Sequence, residues 1–221
     1  MPDRAKNPEV EKSKTVALIV AHPDDETLWA GGTVLSHPEW DCFVVCLCRG
    51  SDTNRAPKFY KALKMLNAEG TMGDLDDGPE QMPLEEKILE GAILKLLPPQ
   101  HFDLVITHDP KGEYTRHLRH EETGRSVKNL WGAGKISATE LWTFAYEDGN
   151  REYYPIPVKS ADVSQKLTKD IWQKKYEVIT EIYGFATECW EARTTPAAEA
   201  FRKFTDPSEI VKRINVKGAV L

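Results

Sequence analysis

The sequence predicts an α/β domain built on a mostly parallel sheet with right-handed crossovers. Three short apolar runs carry that reading: TVALIVA (15–21), CFVVCLC (42–48) and DLVIT (103–107). They are continuous rather than alternating, the pattern of strands buried on both faces. Segments of helical period separate them at the spacing of β-α-β units. The stretches that directly follow the runs, 22–26, 49–52 and 108–120, also hold the chain's most reactive side chains. Open α/β sheets bind ligands beyond the carboxyl ends of their strands, so these stretches are expected to meet.

Residues 1–13 are polar and charged and form the expected loose tail, leaving one domain over 14–221. After the first strand, Asp24 or Asp25 caps a helix that runs to Leu35, with Leu28, Gly32 and Leu35 on one face. Gly31 and Gly32 weaken that helix and suit a close approach to the sheet or to a ligand. Residues 57–68 read as a helix with Phe59, Leu63 and Leu66 inward and Lys58, Lys61 and Lys64 in solvent. The stretch GTMGDLDDGP (70–79) reads as turns, and a helix over 83–97 stops at Pro98 and Pro99. A helix through 127–131 follows the third run, then a strand ELWTFAY (140–146) and a hairpin-like REYYPIPV (151–158). Leu167, Ile171, Val178 and Ile182 give 163–183 a helical spacing, and a last short strand is expected at 209–216.

With 29 Lys plus Arg against 35 Asp plus Glu, the 221-residue chain carries a formal charge of −6. That balance, without a long basic block, argues against a nucleic-acid partner and makes a small molecule the expected one. No apolar run approaches the roughly 20 residues that span a bilayer, and the first residues lack the apolar core of a secretory signal. The expected compartment is the cytoplasm. Cys42, Cys46, Cys48 and Cys189 form no CxxC pair and read as reduced thiols, the first three on one face of a strand and in the core. A homo-oligomer is compatible with the sequence but not specified by it.

Two segments carry chemistry. In AHPDDETLWAGGT (21–33), a strand-to-helix turn separates neighbouring side chains, so that His22 and Asp25 can face a metal while Asp24 faces the water it activates. The plainer reading of the same residues is a helix N-cap with acids that favour the dipole. In THDPKGEYTRHLRHEETG (107–124), His117 and His120 share a helix face, one ring for a metal and the other for a reacting group beside it. The plainer reading there is an exposed, charged helix start. Taken together, two His and one Asp make a three-ligand set with an open coordination position, as catalytic zinc sites have.

AHPDDE with Gly31 and Gly32 behind it, followed by a YxxHxxH element (114–120), resembles the LmbE or PIG-L family of zinc-dependent N-deacetylases. Weaker similarity runs through CRGSD (48–52), Arg55, LDDG (75–78) and THDP (107–110), so that the resemblance spans 15–131. It implies a three-layer, Rossmann-like (LmbE-like) domain. It also implies His22, Asp25 and His120 as metal ligands, Asp24 as general base and His117 as the group that stabilises the oxyanion, to which a protonated ring would bring positive charge. Arg49 and Arg55 would contact substrate, and Tyr114 falls where a mobile catalytic tyrosine sits. The implied cofactor is Zn²⁺, although two imidazoles and a carboxylate suit Fe²⁺ and Co²⁺ as well. The implied reaction removes an N-acyl group, usually acetyl, from an amino sugar or its conjugate.

The sequence departs from that pattern in two places. HLRH (117–120) stands where the family commonly has HPDH, which removes an acid that orients a His; Glu121 and Glu122 are the nearby substitutes. Lys58 replaces a family glutamate. An alternative reading is a non-catalytic metal- or sugar-binding domain that retains the fold, against which Asp24 beside the ligands counts. A dinucleotide enzyme would need GxGxxG after the first strand, which is absent. Beyond residue 140 nothing specific is legible, and Trp142, Tyr146, Tyr153, Tyr154, Trp172 and Trp190 are either core or sugar-stacking platforms.

Overall fold

The structure, a computed structural model, describes residues 13–209. Five strands pair in parallel: β1 (Thr15–Val20), β2 (Asp41–Cys48), β3 (Glu69–Leu75), β4 (Phe102–Thr107) and β5 (Ala138–Phe144). A two-stranded ribbon, β6 (Tyr146–Glu147) with β7 (Ile156–Pro157), occupies the hairpin-like stretch. The strands β8 (Val163–Lys166) and β9 (Ala198–Phe204) extend the sheet antiparallel, giving the order β3-β2-β1-β4-β5-β9-β8.

Helices cover both faces, which makes three layers. Val16, Leu18 and Val20 of β1 pack with residues of α1 (Asp25–Ser36) and α2 (Arg55–Met65), and with Val178 and Ile179 beyond α5 (Lys169–Glu177). The alternate residues Ala17 and Ile19 pack on the other face with α3 (Glu86–Leu96) and α4 (Leu118–Gly132). After β1 the chain crosses on the first face, and after β4 on the second. A crevice therefore opens between the carboxyl ends of β1 and β4, where α/β sheets bind ligands. No described helix is long and apolar enough to cross a membrane.

The differences from the sequence reading have physical causes. The stretch read as turns contains β3, because pairing with β2 overrides the low strand propensity of its glycines. At Gly70 an added Cβ would lie 2.3 Å from the Val44 carbonyl oxygen, and at Gly73 2.8 Å from that of Leu47. The close approach that pairs the strand thus depends on the residues that disguise it. Helix α2 starts at Arg55 rather than 57 because Asp52 accepts the N–H groups of Asn54 and Arg55, each at 2.9 Å. The helix expected over 163–183 begins instead with β8; α5 starts after Thr168, whose hydroxyl accepts the Ile171 N–H, and ends in a π-helical turn, Val178–Ile182. Strand β9, with its Ala, Glu, Lys and Arg, has a helix-like composition and was not foreseen. The strand expected at 209–216 falls, apart from Glu209, outside the described residues.

All three strand cysteines are buried. Cys42 and Cys46 pack on the α1 face, whereas Cys48 joins the opposite cluster, next to a register shift between β2 and β3 that breaks the expected common face. Burial pushes the thiols of Cys42 and Cys48 up to about 12.

One buried ion pair ties β9 to the middle of α1. Glu199 accepts the N–H groups of Gly32 (2.8 Å) and Thr33 (2.6 Å), the Thr33 hydroxyl (2.6 Å) and the Lys175 ammonium (2.7 Å). Gly32 is the close approach its glycine signalled: a Cβ there would meet Leu167 at 2.3 Å and Glu199 at 2.9 Å. Removing one partner of a buried pair strands the other, so Lys175→Met should cost about 3–5 kcal/mol in urea denaturation. The Lys175→Met, Glu199→Gln double variant should recover part of that loss.

Candidate active site

Past β1 the backbone turns through Asp24 at φ 120°, a conformation L-residues rarely adopt and that costs about 1–3 kcal/mol. The Asp24 N–H donates to Glu26 Oε2 at 3.0 Å. Glu26 is itself buried, and its other oxygen accepts the hydroxyls of Thr27 (2.5 Å) and Tyr183 (2.7 Å). With the turn held, the two neighbouring aspartates diverge. The Asp24 carboxylate meets Arg55 at 3.2 Å, while that of Asp25 meets His22 and His120, each at 3.2 Å.

His22 Nδ1, Asp25 Oδ2 and His120 Nε2 lie 3.1–3.2 Å from one another. Each is turned inward by a partner. His22 Nε2 is 3.1 Å from Asp77 Oδ1, and His120 Nδ1 is 2.6 Å from Glu113 Oε2. Asp25 Oδ1 accepts the Trp29 indole N–H at 3.1 Å. In the neutral tautomers that these carboxylates select, two imidazole lone pairs and a carboxylate oxygen converge on one point. That donor set fits a divalent transition ion, with carboxylate-oriented imidazoles of the kind metal sites use. Burial works against charging the rings of His22 and His120, and Asp25 outweighs it, so protons compete with a cation for these donors. Against the same burial, His120 and His108 keep Asp25 well below the usual carboxylate range.

Two other donor triples, His22 with His117 and His120, and Asp25 with His108 and His120, also cluster within 4.8 Å. His108 has both nitrogens engaged: Nε2 accepts the Ala21 N–H at 3.0 Å and Nδ1 is 3.0 Å from Glu113. It braces the site from below. His117 is the N-cap of α4, and its buried Nδ1 has no hydrogen-bond partner among the described residues. Burial and the rings of His120 and His22 bring its pKa down to about 3. These surroundings disfavour the protonated His117 expected from the sequence, and a neighbouring cation would disfavour it further.

Around these donors opens a cleft of about 420 Å³, lined among others by Asp24, Arg49, Arg55, Asp77, Gln81, Tyr114, His117, Trp190 and Glu191. Burial and the charge of Asp25 push the Asp24 carboxyl well up, and Arg55 offsets them. Both arginines expected at substrate lie in the cleft, and both are held by acids: Arg49 by Asp77 (3.0 Å) and Asp52 (3.4 Å), Arg55 by Asp24. Tyr114 packs edge-on to His117 and His120, with ring centroids 5.6 and 5.5 Å apart. Of the six later aromatics, Trp190 lines the cleft. Tyr146 is buried against Trp29, Trp142 donates to Glu140, Trp172 donates to the Thr195 carbonyl, and Tyr153 and Tyr154 are exposed elsewhere.

The HLRH departure has a structural use. Arg119 is buried and points away from the cleft, donating to the carbonyls of Asp76 (2.6 Å) and Met82 (2.9 Å) and to Glu122 (2.5 Å). Glu122 in turn accepts the Leu84 N–H at 3.0 Å. Together they close the loop 76–84, which presents Asp77 and Gln81 to the cleft. The expected substitution by Glu121 or Glu122 is corrected: Glu121 pairs with Arg116 and Glu122 with Arg119, while Glu113 orients His120 and His108. Against burial, those two rings hold Glu113 down at about 2. Lys58 also leaves the cleft, donating to the Tyr183 carbonyl at 2.8 Å. Sequence reasoning missed Glu113, His108 and Asp77 as supports; the acids inside GEYTRH and LDDG were the available signal.

Fold and site together define a three-layer α/β protein with a two-histidine, one-carboxylate donor set at its topological switch point. The family described as PIG-L: GlcNAc-PI de-N-acetylase matches residues 17–131, and the chain belongs to that family. An uncharacterized protein, L374, of Acanthamoeba polyphaga mimivirus is 24% identical over 178 residues, 73% of this chain and 75% of its own length. The N,N'-diacetylchitobiose deacetylase of Pyrococcus horikoshii superposes with a TM-score of 0.67 at 18% identity, over 88% of this chain and 85% of its own. A 4-carboxy-2-hydroxymuconate hydratase from Pseudomonas putida gives 0.60 at 18% identity, over 87% and 97%. These likenesses establish the fold, and a fold shared by a deacetylase and a hydratase leaves the reaction to the site.

Arg119→Met removes both carbonyl anchors of the loop. Amide hydrogen exchange within 76–84 should accelerate about tenfold or more, while exchange in β1 stays unchanged.

Proposed function

We propose that this protein is a metal-dependent hydrolase that removes an N-acyl group, acetyl above all, from an amino sugar or amino-sugar conjugate. The observation that carries the reading is the convergence of His22, Asp25 and His120 donor atoms at 3.1–3.2 Å, with Asp24 presented beside them by the held turn. A Zn²⁺, Fe²⁺ or Co²⁺ ion bound there would polarise the amide carbonyl and acidify a water molecule. Asp24 takes the proton of the attacking water: burial and Asp25 raise its proton affinity, and the Arg55 guanidinium at 3.2 Å offsets part of that rise and favours the carboxylate. It then delivers that proton to the departing amine. His117, favoured as the neutral imidazole and with a buried ring nitrogen that no described group satisfies, offers an N–H to the developing oxyanion. Tyr114 walls the reacting groups from solvent, packed on both His117 and His120.

The family's description and the name of the Pyrococcus deacetylase support the amino-sugar substrate. Free thiols at Cys42, Cys46, Cys48 and Cys189 fit a reducing cytoplasm, with 14–221 acting as one domain.

The test is metal content and acetate release in untagged protein purified without added metal. Wild type should carry about one transition ion per chain and His120→Ala essentially none. Asp24→Asn should keep the ion and lose roughly 10²–10⁴-fold in turnover. His117→Ala should keep the ion and lose about 10²–10³-fold. A fully metallated His120→Ala would reject the ligand set, and undiminished turnover in Asp24→Asn would reject the base.

A further inference from the structure

One wall of the cleft comes from the start of α6 (Trp190–Thr194), well beyond residues 17–131 that match the family. Trp190 is 36% exposed, and the rest of its ring is anchored on Tyr114 (centroids 4.8 Å) and Trp29 (6.4 Å). Because Tyr114 also meets His117 and His120, an aromatic surface leads from the donor triad to the cleft rim. A part-exposed indole that lines a cleft rich in polar groups can take the apolar C–H face of a pyranose, whose hydroxyls then meet the surrounding polar groups.

The charges in the same cleft narrow the ligand further. Its carboxylates are Asp24, Asp25, Asp77 and Glu191, and its permanent cations are Arg49 and Arg55. Arg49 spends Nε and Nη2 on Asp77 and Nη1 on Asp52. Arg55 gives Nη1 to Asp24 and lays its face on Phe185, 4.7 Å from the ring centroid. Both guanidinium charges are thus already matched by carboxylates, Arg49 by Asp77 and Asp52 and Arg55 by Asp24, which leaves the cleft no uncompensated arginine for a phosphate. Glu191, next to Trp190, has neither a hydrogen bond nor an ion pair for its carboxylate among the described residues. A second anion there would be repelled, whereas sugar hydroxyls would donate to it.

We propose that Trp190 and Glu191 form a sugar subsite that selects uncharged N-acyl hexosamine glycosides over phosphorylated ones, the pyranose stacked on Trp190 and its hydroxyls hydrogen-bonded to Glu191. This deepens the deacylase reading above and rests on it. It assigns substrate selection to the segment after residue 140, where sequence patterns identified nothing.

The test is calorimetric binding of methyl N-acetyl-β-glucosaminide and of N-acetylglucosamine 1-phosphate. The protein is the metal-loaded His117→Ala variant, which slows turnover and leaves the Asp24 carboxylate on Arg55. The neutral glycoside should bind about tenfold or more tightly than the phosphate, as expected for repulsion between the phosphate and one unpaired carboxylate. Adding Trp190→Ala should weaken the glycoside about tenfold with metal content unchanged, and Trp190→Phe should restore part of it. Glu191→Arg, at a partly exposed helix start where misfolding is not expected, should shift the preference toward the phosphate. Equal affinities, a wild-type preference for phosphate, no binding of either probe, or indifference to both Trp190→Ala and Glu191→Arg would each overturn the subsite. Acetate release by the wild type, measured alongside, separates the two failures. Release with an indifferent Trp190 and Glu191 removes the subsite alone, and no release with the binding pattern intact removes the deacylase reading alone.

Discussion

Two carboxylates, buried Glu113 and half-buried Asp77, aim the imidazoles of His120 and His22 at Asp25, and the geometry of the whole crevice follows from that aim. Left to themselves, two ring lone pairs and a carboxylate oxygen at 3.1–3.2 Å would repel and rotate apart. The hydrogen bonds on their far sides hold them together, and each support is anchored in turn. Glu113 is shared with His108, which accepts the Ala21 N–H at the end of β1. Asp77 is gripped by Arg49 and sits on a loop whose ends Arg119 and Glu122 tie to α4. The donor set is thus preorganised by strand ends, a helix and a loop that meet only in the folded chain.

How much of this was legible depends on whether the signal was local. The runs that became β1, β2 and β4 announce themselves because strands buried on both faces need no alternation. His22, Asp24 and Asp25 were legible because one sharp turn separates them, and His117 and His120 because three residues span a helical turn. The supports were not, since Glu113 and Asp77 act across the fold on rings remote in sequence. The surroundings of His117 were hidden for the same reason: they are three other histidine rings and a buried pocket, none of which sequence spacing reports. Strand β3 was hidden by the glycines that permit its pairing, and β8 and β9 by a helix-like composition that edge pairing overrules.

Arg119 shows how a departure from a family pattern can be absorbed. His117 and His120 share one side of α4, while the side chain between them is rotated away toward the loop 76–84. A carboxylate at that position could not bond the two carbonyls there, since both groups only accept, whereas a guanidinium donates to both and pairs with Glu122 on its own helix. The change therefore alters how the cleft wall is fastened rather than which donors converge. A deacetylase and a hydratase on the same fold fit that view, since loops around a fixed crevice vary more freely than the strands that frame it.

The reach of Glu199 into α1 bears on how this domain could be divided or recombined. The motif-bearing helix has amide groups at Gly32 and Thr33 that are satisfied by a carboxylate on β9, and the Asp24 turn is steadied by Glu26, which leans on the Tyr183 hydroxyl. The stretch that carries the recognisable motifs is consequently not self-sufficient. A chimera that grafted residues 17–131 onto a foreign C-terminal half would have to bring a carboxylate to the middle of α1 and a phenol to Glu26. Without them the motif would be intact in writing and misaligned in space.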